Sequence, residues 1–349
     1  MVRTPKYPIN TFIELGRQLT AALDNGELTP VIDQAIAENA WFTPKSIEYA
    51  IRAICNDMLQ PTKLEQWLAQ YPIPATSVRK KVGIIMAGNI PLVGFFDLMC
   101  VLLCGHICLY KPSSKDQVLT DQIVQMLQKI DPDLVLHKLE ANDTLDAIIA
   151  TGSDNTNRYF RSEYHDIPAL IRGSRHSIAV LSGDESPADL QKLGDDIFTY
   201  FGLGCRNVSQ IFVPETYDIK TLVAVLQKRC ITFEPFLHNY RQTRALNQML
   251  NHRYIDGGFF VLREGEEPSN RISEITLTRY HTLTDVETWI QQHDNKIQCC
   301  VSTCIHHPRT VTFGQAQQPA PEDDPGGIDV IKLLQGMENL PICCYNSEC

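Results

Sequence analysis

The stretch from Val82 to Ser114 limits the possible folds of this chain more than any other. It reads VGIIMA, GNIPLVG, FFDLMCVLLCG and HICLYKPSS. A short apolar run bounded by a turn is a buried strand, and the longer apolar segment between two such runs has room for a helix. Strand, turn, helix and strand in that order form a parallel βαβ unit, buried on both faces. In such sheets ligands bind at the loops beyond the carboxyl ends of the strands. Gly88-Asn89 and Lys111-Pro112-Ser113-Ser114 both fall at such ends. A membrane span over Ile90 to Tyr110 is the competing explanation of the apolarity. Asp97, His106 and the interior Gly94 and Gly105 count against it. The G-x-G-x-x-G fingerprint is absent, so a dinucleotide cannot be argued from glycines alone.

The alternation continues downstream. A helix is predicted over Gln117 to Ile130, a strand over Leu134 to Lys138, a helix around Leu145 and a strand over Ala147 to Ala150. That last strand ends in Thr151-Gly152-Ser153, a small donor-rich turn suited to a phosphate or ribose. Arg172 to Leu181 reads as a turn and a strand, and Pro187 to Phe201 as a helix with Leu190, Leu193, Ile197 and Phe201 on one face. Further strands are expected at Ile211 to Val213, Phe259 to Leu262, Glu274 to Tyr280 and Cys299 to Ile305. Helices are expected at Tyr217 to Arg229 and Asp285 to His293, and residues 231–256 read as helix and surface. Upstream, Thr43-Pro44 caps and opens a helix, and Tyr71-Pro72-Ile73-Pro74 is a stiff connector. The expected organisation is a helical leader (1–76), a ligand-binding α/β domain (77–175), a second α/β domain (176–312) and a C-terminal arm and tail (313–349).

Phe198 to Pro214, FTYFGLGCRNVSQIFVP, places Cys205 in a glycine-framed turn before a strand. Gly202 and Gly204 allow close approach of backbone to a substrate, and Arg206 is a cation beside the thiol. That is a setting for a nucleophile, although a lone cysteine is more often a small buried hydrophobe. The cysteines, twelve in all, read as thiols of a reducing, cytoplasmic compartment, since the N-terminus lacks a secretion-type apolar region. Cys299, Cys300, Cys304, His306 and His307 have no paired C-x2-C spacing, and no metal is assigned to them. A net charge of −10 argues against nucleic acid as a partner.

Four motifs in order carry a family resemblance: AGNIP around Asn89, KPSS from Lys111, ATGS ending at Ser153 and YFGLGC ending at Cys205. Together they resemble the aldehyde dehydrogenase superfamily. ATGSDNTNRYF, IRGSRHSIAVL, DIFTYFGLGCRNVSQIFVP and FGQAQ are similar to its acyl-CoA reductase branch, related to the LuxC-type fatty-acid reductase subunit of bacterial luminescence. The resemblance implies an aldehyde-dehydrogenase-like α/β fold, with a Rossmann-type cofactor domain and a second α/β catalytic domain. It implies that Cys205 is the nucleophile and that the Asn89 side chain donates to the developing oxyanion. It further implies that Lys111 and Ser113 meet the adenosine ribose or its phosphate, that Thr151, Gly152 and Ser153 contact the pyrophosphate, and that Glu274 reaches the nicotinamide ribose.

Two departures shape the expected chemistry. Hydrolytic relatives use a glutamate in an ELGG motif to activate water, and the corresponding stretch here is LIRGSR. Its lack of a glutamate suits exchange of the acyl group with a thiol such as coenzyme A. Ser114 stands where NAD-preferring relatives commonly carry a glutamate, which leaves room for NADP(H) beside NAD(H). His165 and His176 lie near the motifs and read as structural. The expected activity is NAD(P)H-dependent reduction of an acyl-CoA or other acyl thioester to an aldehyde. Oxidative aldehyde dehydrogenation and a catalytically silent dinucleotide-binding subunit are the alternatives. An acyl carrier or acyltransferase partner and a homodimer are further expectations from the resemblance.

Overall fold

The computed structural model of the protein describes residues 7–72 and 79–337. These residues form two compact units. One takes the described residues up to Ser174 together with those from Pro319 on, and the other is Arg175–Gln318.

The first unit begins with helices α1 (Ile9–Asp24), α2 (Thr29–Glu38), α3 (Pro44–Ala53) and α4 (Pro61–Leu68). Thr43 caps α3 as its sequence requires: its hydroxyl accepts from the Ser46 N–H at 3.1 Å, and the Ser46 hydroxyl accepts from the Thr43 N–H at 2.9 Å. Then follow β1 (Lys81–Ile85), α5 (Phe95–Leu103), β2 (Ile107–Lys111), α6 (Gln117–Ile130), β3 (Leu136–Lys138), β4 (Ala147–Thr151), α7 (Asp154–Glu163) and β5 (Ala169–Arg172). The strands make one all-parallel sheet in the order β3-β2-β1-β4-β5. Every residue of α5 is buried, which accounts for the apolar run that imitates a membrane span. Among the described residues no helix is long and apolar enough to cross a membrane.

Two sequence expectations change here. Leu145 lies in an extended segment rather than a helix, because Asp146 pairs with the start of β1: its N–H donates to the Lys81 carbonyl at 2.8 Å and its carboxylate accepts from the Lys81 N–H at 2.7 Å. The helix lies later, at α7, whose polar sequence buries only Asn157 and Phe160. The N-terminal helices are also no separate leader. Phe12, Ile47 and Trp67 share one apolar core with Ile84, Leu98 and Leu127. Thr11 donates to Asp131 at 2.9 Å and the Asn39 amide to the Lys115 carbonyl at 3.1 Å, fixing α1 and α2 against the ends of α6.

The second unit holds β6 (His176–Val180), α8 (Pro187–Phe198), β7 (Val208–Pro214), α9 (Ile219–Leu226), α10 (Glu234–Met249), β8 (Tyr254–Asp256), β9 (Val261–Glu264), β10 (Glu274–Tyr280), α11 (Leu283–Gln292), β11 (Ile297–Ser302) and β12 (Thr310–Val311). Its sheet runs β12-β11-β6-β7-β10-β9-β8, parallel throughout except for β8 against β9. The expected C-terminal arm is divided: residues 313–318 belong to this unit, and α12 (Val330–Gly336) returns to the first and packs on α5. Ile73 and Pro74 of the expected connector and Cys343, Cys344 and Cys349 lie outside the described residues.

Candidate functional site

In the first unit the strand order reverses at β1, with β2 on one side and β4 on the other. That reversal opens a crevice at the carboxyl ends, where doubly wound sheets take ligands. The sequence-predicted residues of this unit gather there. Asn89 follows β1 and is exposed, Lys111 ends β2 and is exposed, and Thr151 ends β4. The loops after β1 and β2 touch: a Cβ on Gly88 would lie 2.5 Å from both Cβ and Oγ of Ser113, so only glycine lets them pass. Gly152 donates to the Arg172 carbonyl at 3.2 Å, and Ser153 caps α7, its hydroxyl accepting from the Thr156 N–H at 3.4 Å. A strand-end turn that opens a helix in this crevice presents backbone donors to an anion, so these residues fit a dinucleotide.

Sequence reading missed the residue that couples these loops. Asp116 is 3% exposed and accepts at 2.9 Å from the N–H of Leu92, which takes a left-handed φ of 56° in the loop carrying Asn89. Its second oxygen is buried with no hydrogen-bond partner among the described residues. Burial therefore pushes its pKa up to about 8, against a smaller lowering by the Leu92 N–H. The folded protein thus keeps a proton that an unfolded aspartate releases near pH 4. The stability this group contributes is full below that pH and is lost as pH rises toward 8, by up to about 1.4 kcal/mol per pH unit. Urea unfolding at pH 5 and pH 8 is expected to show a loss in the wild type that is much reduced in Asp116→Asn. Equal losses in the two proteins would refute this assignment.

Cys205 is exposed in the turn between α8 and β7. Several interactions hold that turn. The Asn207 N–H donates to the Gly204 carbonyl at 3.0 Å, and the Gly204 N–H donates to Asn207 Oδ1 at 2.8 Å. Asn207 Nδ2 donates toward the carbonyls of Asp196, Ile197 and Thr199, which closes the end of α8. The Ser177 hydroxyl donates to the Cys205 carbonyl at 2.9 Å and accepts from the Cys299 N–H at 3.2 Å. The helix expected to run to Phe201 ends instead at Phe198, because Tyr200, Phe201 and Gly202 have left-handed φ of 55°, 59° and 76°. Two consecutive left-handed aromatic residues cost about 1–3 kcal/mol each, a strain that persists only where packing imposes it. Phe201 stacks on Phe233 with ring centres 4.1 Å apart, and Phe198 packs edge-on against Phe236 and Phe259.

Glu274 begins β10 beside β7. Its carboxylate is engaged by Asn247 at 2.6 Å, Ser269 at 2.9 Å, Arg263 at 3.2 Å and Arg271 at 3.4 Å, and its side chain is 2% exposed. Burial alone would raise its pKa, but hydrogen bonds from Asn247, Ser269 and Arg263 hold it below the ordinary value. His176, on β6, is pushed down to about 4 by burial and then by His293 and Lys296, so it is neutral at pH 7. His165 is exposed, 3.0 Å from Asp166. Cys299 and Cys300 are consecutive in β11 and point to opposite faces of the sheet. Among the described residues no group of three or more His, Cys, Asp or Glu could hold a metal.

Comparisons with known proteins agree with this architecture. An oxidoreductase from Marinobacter aquaeolei superposes with a TM-score of 0.65 at 14% identity, over 94% of this chain and 82% of that one. An indole-3-acetaldehyde dehydrogenase complexed with NAD+ gives 0.62 at 14% identity, over 88% and 74%. NADP-dependent glyceraldehyde-3-phosphate dehydrogenase from Bacillus halodurans C-125, complexed with NADP, gives 0.57 at 14% identity, over 84% and 74%. These likenesses show the aldehyde-dehydrogenase fold. No curated protein sequence matches the chain. The family model described as acyl-CoA reductase (LuxC) matches residues 32–230, more than half of the chain and a span that includes both the Asn89 loop and the Cys205 turn. The chain therefore belongs to the LuxC acyl-CoA reductase family.

Proposed function

We propose that this protein reduces an acyl thioester, acyl-CoA or a related carrier thioester, to the aldehyde at the expense of NADPH or NADH. The observation that carries this reading is the Cys205 turn, an exposed thiol held in a strained, glycine-framed loop in a chain of the LuxC family. Cys205 Sγ attacks the thioester carbonyl, the bond from that carbon to the carrier sulfur breaks, and the carrier leaves as a thiol with the proton Cys205 gives up. The Asn89 amide and the Cys205 backbone N–H are assigned the oxygen that becomes negative during attack. A bound nicotinamide dinucleotide would supply the hydride to the acyl carbon; the bond from that carbon to Cys205 Sγ then breaks, the aldehyde leaves, and Cys205 regains a proton from solvent.

Lys111 and Ser113 are assigned the adenosine ribose or its phosphate, and Thr151, Gly152 and Ser153 the pyrophosphate. Ser114 leaves space for a 2'-phosphate. For Glu274 the same reading requires the carboxylate to exchange its Ser269 or Arg271 contact for a ribose hydroxyl. Residues 170–175 carry no carboxylate, and the Arg172 side chain is committed to Asp97. That favours thiol exchange over attack by activated water. An acyl carrier or acyltransferase that delivers the acyl group, and a homodimer, complete the proposal. The test is consumption of NADPH and NADH with short to long acyl-CoA thioesters. Cofactor oxidation with one thiol and one aldehyde released per turnover is expected. Acyl-CoA formation only from aldehyde, NAD(P)+ and free coenzyme A would instead favour the oxidative direction.

A further inference from the structure

The FGQAQ segment, Phe313 to Gln317, has no part in the roles assigned above, yet it is bound to the cysteine turn at several points. Asp196, in the last turn of α8, is fully buried. Its carboxylate accepts from the Gly314 N–H at 2.7 Å and from the Ala316 N–H at 2.9 Å. The Gln317 amide donates to the Asp196 carbonyl at 3.2 Å. From the cysteine side, Arg206 Nε donates to the Ala316 carbonyl, and Asn207 Nδ2 donates to that same Asp196 carbonyl at 3.2 Å. Gly314 has a φ of 85°, and a Cβ there would lie 3.1 Å from Lys192 Cβ, so the turn needs glycine to reach α8.

Arg206 directly, and Asn207 through the Asp196 carbonyl it shares with Gln317, are thus tied to a segment about 110 residues further on. A buried carboxylate that receives two backbone N–H groups makes strong, charge-assisted hydrogen bonds and fixes the backbone that donates them. Arg206 then has a directional task that a point charge beside the thiol would not have. Its planar guanidinium reaches the Ala316 carbonyl through Nε, an atom lysine lacks.

We propose that Asp196 and the Phe313–Gln317 turn form a clamp that positions Cys205, with Arg206 as its tether to the cysteine turn. This rests on the reading of Cys205 as the nucleophile. Asp196 and Arg206 are positioning residues: they set where the thiol and the adjacent N–H stand, and a misplacement of about 1 Å can cost on the order of 100-fold in rate.

The test combines hydrogen exchange with alkylation of Cys205 by iodoacetamide, followed by peptide mapping because Cys230 is also exposed. In Asp196→Asn, exchange is expected to rise together in residues 199–208 and 313–317 and to stay unchanged in the five-stranded sheet. The Cys205 alkylation rate is expected to fall about tenfold, and kcat to fall with it, while KM for the dinucleotide changes less than twofold. Arg206→Lys keeps the charge and removes the Nε tether, and it should lower alkylation by a similar factor even if the Asp196 variant fails to fold. Wild-type alkylation in Arg206→Lys, or faster exchange at 313–317 with unchanged Cys205 alkylation in Asp196→Asn, would overturn the clamp. Alkylation needs neither thioester nor dinucleotide. A wild type that reduces no thioester would therefore sink the proposed function while leaving the clamp to be judged by its own result.

Discussion

Cys205→Ala is expected to lower thioester reduction roughly 1000-fold or more while leaving dinucleotide binding intact. Sγ is the only atom of the Cys205 side chain that forms and breaks a bond in the proposed chemistry, and alanine has no replacement nucleophile. Because the residue is exposed, the substitution should shift folding stability by no more than about 0.5 kcal/mol. The loss therefore separates chemistry from folding. It is checked by carrier-thiol release, aldehyde formation and fluorescence titration with NADPH, wild type beside variant. A variant that still releases thiol in step with cofactor oxidation would move the nucleophile elsewhere, Cys230 being another exposed thiol. Binding without turnover in both proteins would favour a silent dinucleotide-binding subunit.

The second large effect is on stability. Asp97 on α5 and Arg172 at the end of β5 form a pair whose side chains are each 8% exposed, with Arg172 NH1 2.7 and 2.9 Å from the two carboxylate oxygens. The Nε and the other terminal nitrogen of Arg172 are buried with no hydrogen-bond partner among the described residues. Removing Asp97 leaves a buried cation without its hydrogen-bonded carboxylate, which costs about 3–5 kcal/mol. Asp97→Ala should accordingly lower the urea midpoint sharply, or prevent folding at 37 °C if the protein is ordinarily marginal. Asp97→Leu combined with Arg172→Met removes both charges at similar volume and should recover most of the loss. The second variant tells an ion-pair effect from a packing effect. A single variant destabilised by less than about 1 kcal/mol would show that Asp324, a half-buried carboxyl that senses the Arg172 charge, compensates for the loss.

The parts of the fold legible in the sequence were those with a local signal. Buried strands announce themselves as apolar runs, so β1, β2, β4 and β10 are found within a residue or so of their ends. Residues at strand ends could be placed in a crevice because doubly wound topology puts them there. Polar α7 has too few apolar residues to announce a core helix, since only Asn157 and Phe160 are buried. The segment at Leu145 looked helical because its leucine and flanking apolar residues lie at helical spacing, whereas pairing of Asp146 with Lys81 decides the matter. Cys205 was visible through its glycines, but its supports were not. Asp196 and Asn207 act on partners whose identity depends on tertiary structure, and nothing in a window around Asp196 points to Gly314, 118 residues away. Asp116 was hidden for a different reason: a carboxylate in a turn reads as solvated until its burial is known.

The second unit is inserted into the first, whose last helix among the described residues is α12. Synthesis proceeds from the N-terminus, so the ribosome delivers all of Arg175–Gln318 before it delivers Val330–Gly336. The inserted unit can finish folding while α5 still lacks the helix that covers it. For that interval, roughly 1–4 s at ordinary elongation rates, Val330 and Ile331 are missing from a core in which both end fully buried. The nascent chain is then at its stickiest, because the apolar helix α5 is translated early and sheltered last.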